Sequence, residues 1–157
     1  MTTNFGTVRI VGAGLLGTSL GLALSKLGVD VAITSHSQKS VDLAIQYGAG
    51  RAALSGDDPS LIVVCVPPAK TAQIVADELS AFSNAIVTEV ASVKASILDE
   101  LVASGADLAR YVGSHPMAGR ERGGAIAGRA DLFVGRPWVL CPAAATSAKA
   151  LELVAEV

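Results

Sequence analysis

Residues 8–17 read VRIVGAGLLG, a short β-branched run followed by a turn with glycine at three fixed positions. Apolar residues then recur at helical spacing from Leu15 to Leu27, and Gly28 supplies a stop signal for that helix. A strand, a G-x-G-x-x-G turn and a helix in this order open a βαβ unit, the context that makes such a turn informative. The stretch therefore predicts an α/β fold with a dinucleotide-binding turn.

The three glycines of this turn have separate physical roles. Gly12 permits the tight turn, Gly14 lets the backbone approach a pyrophosphate, and Gly17 allows the helix to pack closely on the strand. The pyrophosphate would rest on the amides at the helix start, around Leu15 and Leu16, where the helix dipole is positive. The alternative is a tight turn that binds nothing.

Strand and helix patterns alternate along the rest of the chain. The later strands are predicted at residues 29–33, 61–66, 85–88, 111–114 and 138–141. The later helices are predicted at residues 37–48, 74–82, 92–102 and 147–157. His115-Pro116 is expected to end its strand, because the residue before a proline is restricted in conformation. The alternation predicts a doubly wound parallel sheet of the Rossmann type.

The composition narrows the class of protein. Of 157 residues, 51% are hydrophobic and 17% are charged, and the net charge is −2. Without a basic stripe, nucleic-acid binding is not expected. Cys65 and Cys141 lack partners at ligand spacing, which predicts free thiols in a reducing compartment and no metal site. Glycines interrupt apolar residues 10–24, so we expect neither a signal peptide nor a membrane anchor, and a cytoplasmic location.

The end of the second predicted strand bears on the choice of cofactor. NAD-binding units place a carboxylate there to hold the ribose 2′-hydroxyl. This chain instead has Ser35, His36 and Ser37 at a helix N-terminus, and these side chains suit a 2′-phosphate. We therefore expect NADP or NAD, with NADP slightly favoured. The alternative is an ordinary N-cap loop with solvated polar residues.

Two clusters at the ends of later strands carry reactive side chains, and doubly wound sheets bind ligands at that edge. Ser92 and Lys94 lie in TEVASVK, where a helix is predicted to begin, and His115 lies in GSHPMAG. Lys94 is unusual because a cation in a first helical turn opposes the helix dipole. The alternatives are that Ser92 only caps its helix and that His115 is structural. We also place Val66 and Pro67 against the cofactor.

Four sequence blocks carry a family resemblance. They are GAGLLGTSL, VCVPP, VASVK and HPMAG, the last followed by Glu121, Gly123 and Leu132-Phe133. Together they resemble the prephenate and arogenate dehydrogenases of tyrosine biosynthesis, over residues 8 to about 140. The first block is generic among dinucleotide-binding proteins, whereas the last two are fairly specific to this family.

The resemblance implies roles for the matching residues. His115 would contact the ring hydroxyl of the substrate, and Ser92 would lie close to substrate and nicotinamide. Glu121 would belong to an ionic network in the active site, and we place Lys94 near the substrate with it. The implied reaction is the oxidative decarboxylation of prephenate or arogenate, with hydride passing to NAD or NADP.

The resemblance also implies a second domain. Family members continue into a helical domain that forms a homodimer and contributes arginine to the substrate's carboxylate. We assign residues 1–146 to the dinucleotide-binding domain. Residues 147–157 are assigned to the start of a connecting helix, because the last predicted helix has no stop signal before Val157.

Two other functions share the glycine turn. One is a two-domain nicotinamide reductase of the 6-phosphogluconate or imine-reductase type, and HPMAG followed by Glu121 counts against it. The other is a non-catalytic dinucleotide-sensing module, which has no use for His115 beside a nicotinamide.

Overall fold

A computed structural model describes residues 5–157 as one seven-stranded sheet flanked by five helices. The strands are β1 Val8–Val11, β2 Val31–Thr34, β3 Arg51–Ala52, β4 Leu61–Val64, β5 Ile86–Glu89, β6 Tyr111–Pro116 and β7 Trp138–Pro142. The helices are α1 Leu15–Lys26, α2 Gln38–Gln46, α3 Pro68–Ala81, α4 Ala95–Ser104 and α5 Ala148–Ala155. Short 3₁₀ helices lie at Leu108–Arg110 and Ala125–Ala127.

The strand order is β3-β2-β1-β4-β5-β6-β7, and the first six strands are parallel. The order reverses between β1 and β4, because the chain builds outward in one direction to β3 and then in the other from β4. Ligands of doubly wound sheets bind at such a switch point, outside the carboxyl ends of the strands. The predicted Rossmann-type α/β fold is confirmed, with the two-residue strand β3 as an addition.

The far edge of the sheet differs from the prediction. β7 runs antiparallel to β6, and β6 continues through His115 and Pro116, which pair with Val139 and Trp138. Loop 117–137 joins the two strands without a crossover helix, and antiparallel neighbours need none. A proline restricts the preceding residue to extended conformations, which suit a strand. The expectation that His115-Pro116 breaks the strand was therefore wrong.

Helix boundaries follow local signals in most cases. Ser37 caps α2 as predicted, because its Oγ accepts a hydrogen bond from the Ser40 amide at 3.3 Å. α4 begins at Ala95 rather than at Ser92, because the segment before it forms a turn held by the side chain of Glu89, which accepts from the Ala91 amide. Ser92 is therefore not the cap of α4.

The last helix ends earlier than predicted. α5 stops at Ala155, and the amides of Glu156 and Val157 donate to carbonyls three residues back. Ala150 and Val154 are buried, and α5 packs against β5 and β6. This helix therefore contributes to the core of the described domain, and its continuation into a second domain stays a prediction.

The core has one cluster on each face of the sheet. α1, α2 and α5 cover one face, with buried residues that include Leu20, Leu24, Val41, Ala44, Ala150 and Val154. α3 and α4 cover the other, with buried residues that include Val75, Leu79, Ile97 and Leu101. Fully burying one such Leu, Ile or Val side chain contributes about 1.5–3 kcal/mol. Burial on both faces explains the continuous apolar run of β4.

Two further findings concern the class of protein. Among residues 5–157, no helix is long and apolar enough to cross a membrane. Cys65 and Cys141 are free thiols, as predicted, and both residues are half-buried.

We expect Gly17→Ala to destabilise the domain. A Cβ at Gly17 would lie 1.9 Å from the carbonyl oxygen of Gly12, and backbone on both sides cannot easily move apart. Overpacking of this kind costs about 1–3 kcal/mol, which for a domain of this size lowers Tm by roughly 2–4 °C per kcal/mol. Thermal or urea unfolding followed by circular dichroism measures the loss.

Gly56→Ala is the matched control for this prediction. A Cβ at Gly56 meets no atom within 4 Å, and the residue is exposed. We expect its stability to stay within about 0.5 kcal/mol of the wild type, as for most surface changes. Equal stability of the two variants would contradict the close packing of α1 on β1.

Candidate active site

The glycine turn, residues 12–17, lies at the switch point of the sheet. Gly12 has φ +109°, and a Cβ there would lie 2.3 Å from the carbonyl oxygen of Cys65. Glycine is therefore required at position 12 for both conformation and space. At Gly14, by contrast, a Cβ would meet nothing within 4 Å, so the backbone here faces open space that a ligand can approach.

The first turn of α1 presents hydrogen-bond donors toward this space. Gly14 occupies the N-cap position and offers no side chain to cap the helix. The amides of Leu15, Leu16 and Gly17 have no carbonyl four residues back within the helix, as in any first helical turn. Together with the positive end of the helix dipole, they form a site suited to an anion such as a phosphate.

A cleft of about 410 Å³ opens on one side of the turn. We call it the main cleft, and its lining includes Gly14, Leu15, Leu16, Val66, Pro67, Ala91, Ser92, His115, Gly123 and Gly124. The structure thus brings together groups from the ends of β1, β4, β5 and β6. Ser92 is exposed within it and His115 is half-buried.

A cavity of about 320 Å³ lies on the other side of the turn. We call it the smaller cavity, and its lining includes Arg9, Gly12, Thr34, Ser35, His36, Val66, Asp77 and Glu78. Val66 borders both spaces. Arg9 Nε donates to Glu78 Oε2 at 2.8 Å, so these two charges neutralise each other at the wall. A dinucleotide lying across the turn would have one space for each of its halves.

Of the polar residues after β2, two line the smaller cavity and one caps a helix. Ser35 and His36 line the smaller cavity, and His36 is exposed. Ser37 is outside both linings and acts as the cap of α2, although its hydroxyl hydrogen remains free to donate elsewhere. The cap role and a ligand role are compatible for this segment.

Lys94 and Glu121 lie outside the lining of the main cleft. Lys94 Nζ donates to the Glu89 carboxylate and, at 2.7 Å, to the carbonyl of Ser114. Glu121 is exposed on loop 117–137, two residues before Gly123, which does line the cleft. The structure therefore directs Lys94 into the protein and leaves Glu121 at the rim.

Loop 117–137 forms one wall of the main cleft because it is fixed to α1. A Cβ at Gly128 would lie 2.7 Å from Thr18 Cγ2, so glycine allows this close approach. The amide of Arg129 donates to Ser19 Oγ at 2.9 Å. Ser19, in the glycine-turn helix, thus holds the loop that carries Gly123.

Sequence analysis missed a buried carboxylate below the cleft. Glu89 ends β5 with 0% exposure, and it accepts from the Ala91 amide at 2.8 Å and the Tyr111 hydroxyl at 3.1 Å. A glutamate at the end of a buried strand, with Lys94 five residues later, was the available signal. Ionised side chains are almost never fully buried unless they are paired.

Burial and this carboxylate also set the protonation of two neighbours. Burial of the thiol, followed by the charge of Glu89, raises the pKa of Cys65 to about 12. The same two causes, in the same order, raise the pKa of Tyr111 far above its ordinary range. At neutral pH both side chains are therefore uncharged, and Cys65 is not a reactive nucleophile.

The side chains of residues 5–157 offer no candidate metal centre. Among residues 5–157, no group of three His, Cys, Asp or Glu side chains could hold a metal ion. The chemistry available at the cleft is that of the His115 imidazole, the Ser92 hydroxyl, the uncharged Cys65 thiol and backbone amides.

Known proteins resemble this chain in sequence. The family model described as prephenate dehydrogenase, nucleotide-binding domain, matches residues 20–157. The chain is 45% identical over 153 residues to a probable prephenate dehydrogenase of Streptomyces niveus, covering 95% of this chain and 42% of that protein. It is 29% identical over 168 residues to the cyclohexadienyl dehydrogenase of Zymomonas mobilis, covering 98% and 55% respectively.

Solved structures have the same fold. Synechocystis arogenate dehydrogenase superposes with a TM-score of 0.84 at 28% identity, covering 95% of this chain and 54% of that one. Prephenate dehydrogenase from Aquifex aeolicus, in complex with hydroxyphenyl propionate and NAD⁺, superposes with a TM-score of 0.87 at 24% identity, covering 99% and 57%. The chain spans about half the length of these relatives. The match over residues 20–157 confirms the resemblance seen in the sequence, and the chain belongs to the family of prephenate dehydrogenase nucleotide-binding domains.

Proposed function

We propose that this chain is the cofactor-binding half of an enzyme that oxidatively decarboxylates prephenate or arogenate with NAD⁺ or NADP⁺. The observation that carries the proposal is the main cleft, which brings Ser92 and His115 together beside the anion-binding start of α1. Relatives named as prephenate, arogenate and cyclohexadienyl dehydrogenases support the reaction class.

The glycine turn fits a dinucleotide. Gly14 leaves open space in front of the first-turn amides, which would hold the pyrophosphate, and Leu15 and Leu16 border the main cleft. Val66 and Pro67 would contact the nicotinamide half, and Ser35 would contact the adenosine half in the smaller cavity. When bound, the nicotinamide ring supplies the hydride acceptor of the reaction.

His115 is the proposed base. Its imidazole would accept a hydrogen bond from the C4 hydroxyl of the substrate ring, and then the proton, as hydride leaves C4. Loss of CO₂ from the ring then completes aromatisation. Pairing with Val139 in the sheet holds the backbone of His115 rigid, which supports a fixed approach to the hydroxyl.

Three further residues would assist the reaction without acting as the base. They are Ser92, Glu121 and Lys94. Ser92 is exposed in the cleft and caps no helix, so its hydroxyl is available to substrate and nicotinamide. Glu121 at the rim would join the ionic network that the family resemblance implies. Lys94 would act near the substrate only indirectly, because its ammonium group is bound to Glu89 and Ser114.

The proposal extends to the whole protein and its surroundings. Arginines for the substrate carboxylate and the contacts of a homodimer would come from a helical domain reached through residues 147–157. The relatives support this, because the chain covers only 42–57% of the four described above. Free thiols at Cys65 and Cys141 support a cytoplasmic enzyme.

In the whole protein, with the proposed second domain, we expect His115→Asn to lower kcat for prephenate or arogenate about 10²–10⁴-fold, the usual contribution of a general base. The dissociation constant for NAD⁺ should change by less than roughly threefold, or about 0.6 kcal/mol, because backbone amides of α1, and not the imidazole of His115, would hold the pyrophosphate. Steady-state kinetics and calorimetric titration with NAD⁺ measure the two effects.

Two outcomes would contradict the assignment of His115. One is a collapse of NAD⁺ affinity with kcat nearly unchanged, which would make the residue structural. The other comes from the whole wild-type protein: if it binds NAD⁺ but shows no further heat when prephenate or arogenate is added, a dinucleotide sensor becomes the better description.

We further propose that NADP⁺ is accepted at least as well as NAD⁺, with Ser35, His36 and Ser37 around the 2′-phosphate. Ser35→Asp should then weaken NADP⁺ binding at least about tenfold, because a hydrogen bond to a charged group is worth about 1.5–3 kcal/mol and the new carboxylate repels phosphate. NAD⁺ binding should persist or tighten, since a carboxylate can hold the ribose hydroxyls. Calorimetry with both cofactors tests this.

Ser80→Asp is the matched control for the cofactor experiment. Ser80 is exposed on α3 and lies outside the smaller cavity, so the same change of charge should leave both affinities unaltered. The proposal would be contradicted if the wild type bound NAD⁺ more tightly than NADP⁺ and Ser35→Asp changed neither affinity selectively. Residues 35–37 would then be only a solvated helix cap.

A further inference from the structure

The ion pair of Glu89 and Lys94 is buried below the main cleft. Glu89 is fully buried and the Lys94 side chain is 23% exposed. Removing two charges from water costs several kcal/mol per ion, so a buried pair is weak evidence for stability. The hydrogen bonds of Glu89 and Lys94 indicate a role other than stabilising the fold.

Glu89 holds the wall of the cleft that carries Ser92. Its Oε2 accepts from the amide of Ala91 at 2.8 Å, and this bond shapes the turn between β5 and α4. Ala91 and Ser92 both line the cleft. The position of the Ser92 hydroxyl therefore depends on a carboxylate that is itself outside the cleft.

Lys94 holds the opposite wall. Its Nζ donates at 2.7 Å to the carbonyl of Ser114, the residue before His115, and also to Glu89 Oε1. Ser114 Oγ in turn donates at 2.8 Å to the backbone carbonyl of Glu89. One ion pair thus links the segment that carries Ser92 to the strand that carries His115.

The neighbouring strand leaves room for this network. Gly113 pairs with Glu89 across the sheet, and a Cβ at Gly113 would lie 3.0 Å from the Tyr111 hydroxyl and 3.3 Å from Glu89 Oε1. Any larger residue at position 113 would crowd the hydrogen bond from Tyr111 to the carboxylate. The network is therefore built from both strands rather than by a chance contact of one side chain.

We propose that Glu89 and Lys94 are positioning residues, whose ion pair sets the distance and orientation of His115 relative to Ser92 across the main cleft. The inference rests on the proposed function for its effect on turnover. Neither residue lines the cleft, so both act through others. A displacement of about 1 Å at reacting groups can cost on the order of 10² in rate.

The first test is Lys94→Met, which keeps most of the length of the side chain and removes its donors. In the whole protein, we expect kcat to fall on the order of 10²-fold, with KM and the NAD⁺ dissociation constant changed by less than roughly threefold. Lys149→Met is the matched control, because Lys149 is exposed on α5. It should leave kcat unchanged.

Glu89→Gln is the second variant, in case Lys94→Met fails to fold. The amide oxygen can still accept from Ala91, while the ion pair is lost. The double variant combines Lys94→Met with Glu89→Gln. If the two side chains act as a unit, it should lose no more activity than the worse single variant, because the effects of coupled residues do not add. Independent, additive losses would overturn the proposal.

A spectroscopic readout separates this inference from the proposed function. The chain has only two histidines, so the ring resonances of His115 can be followed with His36 as an internal reference. In Lys94→Met or Glu89→Gln, the ring signals of His115 should shift or broaden while those of His36 stay in place.

The outcomes are then distinct. If the whole wild-type protein oxidises neither prephenate nor arogenate, the proposed function fails, but a selective change at His115 still supports positioning. Unchanged His115 signals, or equal changes at both histidines, would show that the pair serves only general stability. Unchanged kcat in both single variants would also overturn the proposal.

Discussion

The contact between Gly17 and the carbonyl of Gly12 is the constraint on which the site depends. An added Cβ would approach that oxygen to 1.9 Å, so α1 can begin this close to the end of β1 only because position 17 has no side chain. The same close approach directs the first-turn amides of α1 into the crevice at the switch point. Val66, two residues after β4, borders the spaces on both sides of the glycine turn.

The sheet edge provides the second half of the site. Because β7 is antiparallel to β6, the chain between them has no crossover helix to form and instead extends over α1. Within loop 117–137, Gly128 packs on Thr18 of α1, and Gly123 and Gly124 line the main cleft. The pairing of β7 also keeps His115 in extended backbone. The loop and the imidazole are thus positioned by one strand reversal.

Sequence patterns predicted what is decided locally. The strand, glycine turn and helix at residues 8–26 and the Ser37 cap are present as expected, because spacing and cap chemistry act over a few residues. The direction of β7 and the course of β6 through Pro116 depend on a partner more than twenty residues away. Glu89 was missed for the same reason, since the role of an acid at the end of β5 is defined by its contacts with Lys94 and Tyr111 in three dimensions.

Glu89 also determines the electrostatics of the region below the main cleft. An unpaired carboxylate at Glu89 would place a negative charge in a low-dielectric region beneath a site meant for anionic ligands. Lys94 cancels this charge, and the raised pKa of Cys65, about 12, keeps the adjacent thiol neutral. Attraction for a pyrophosphate can then come from the backbone amides at the start of α1, although the net charge of the chain is −2.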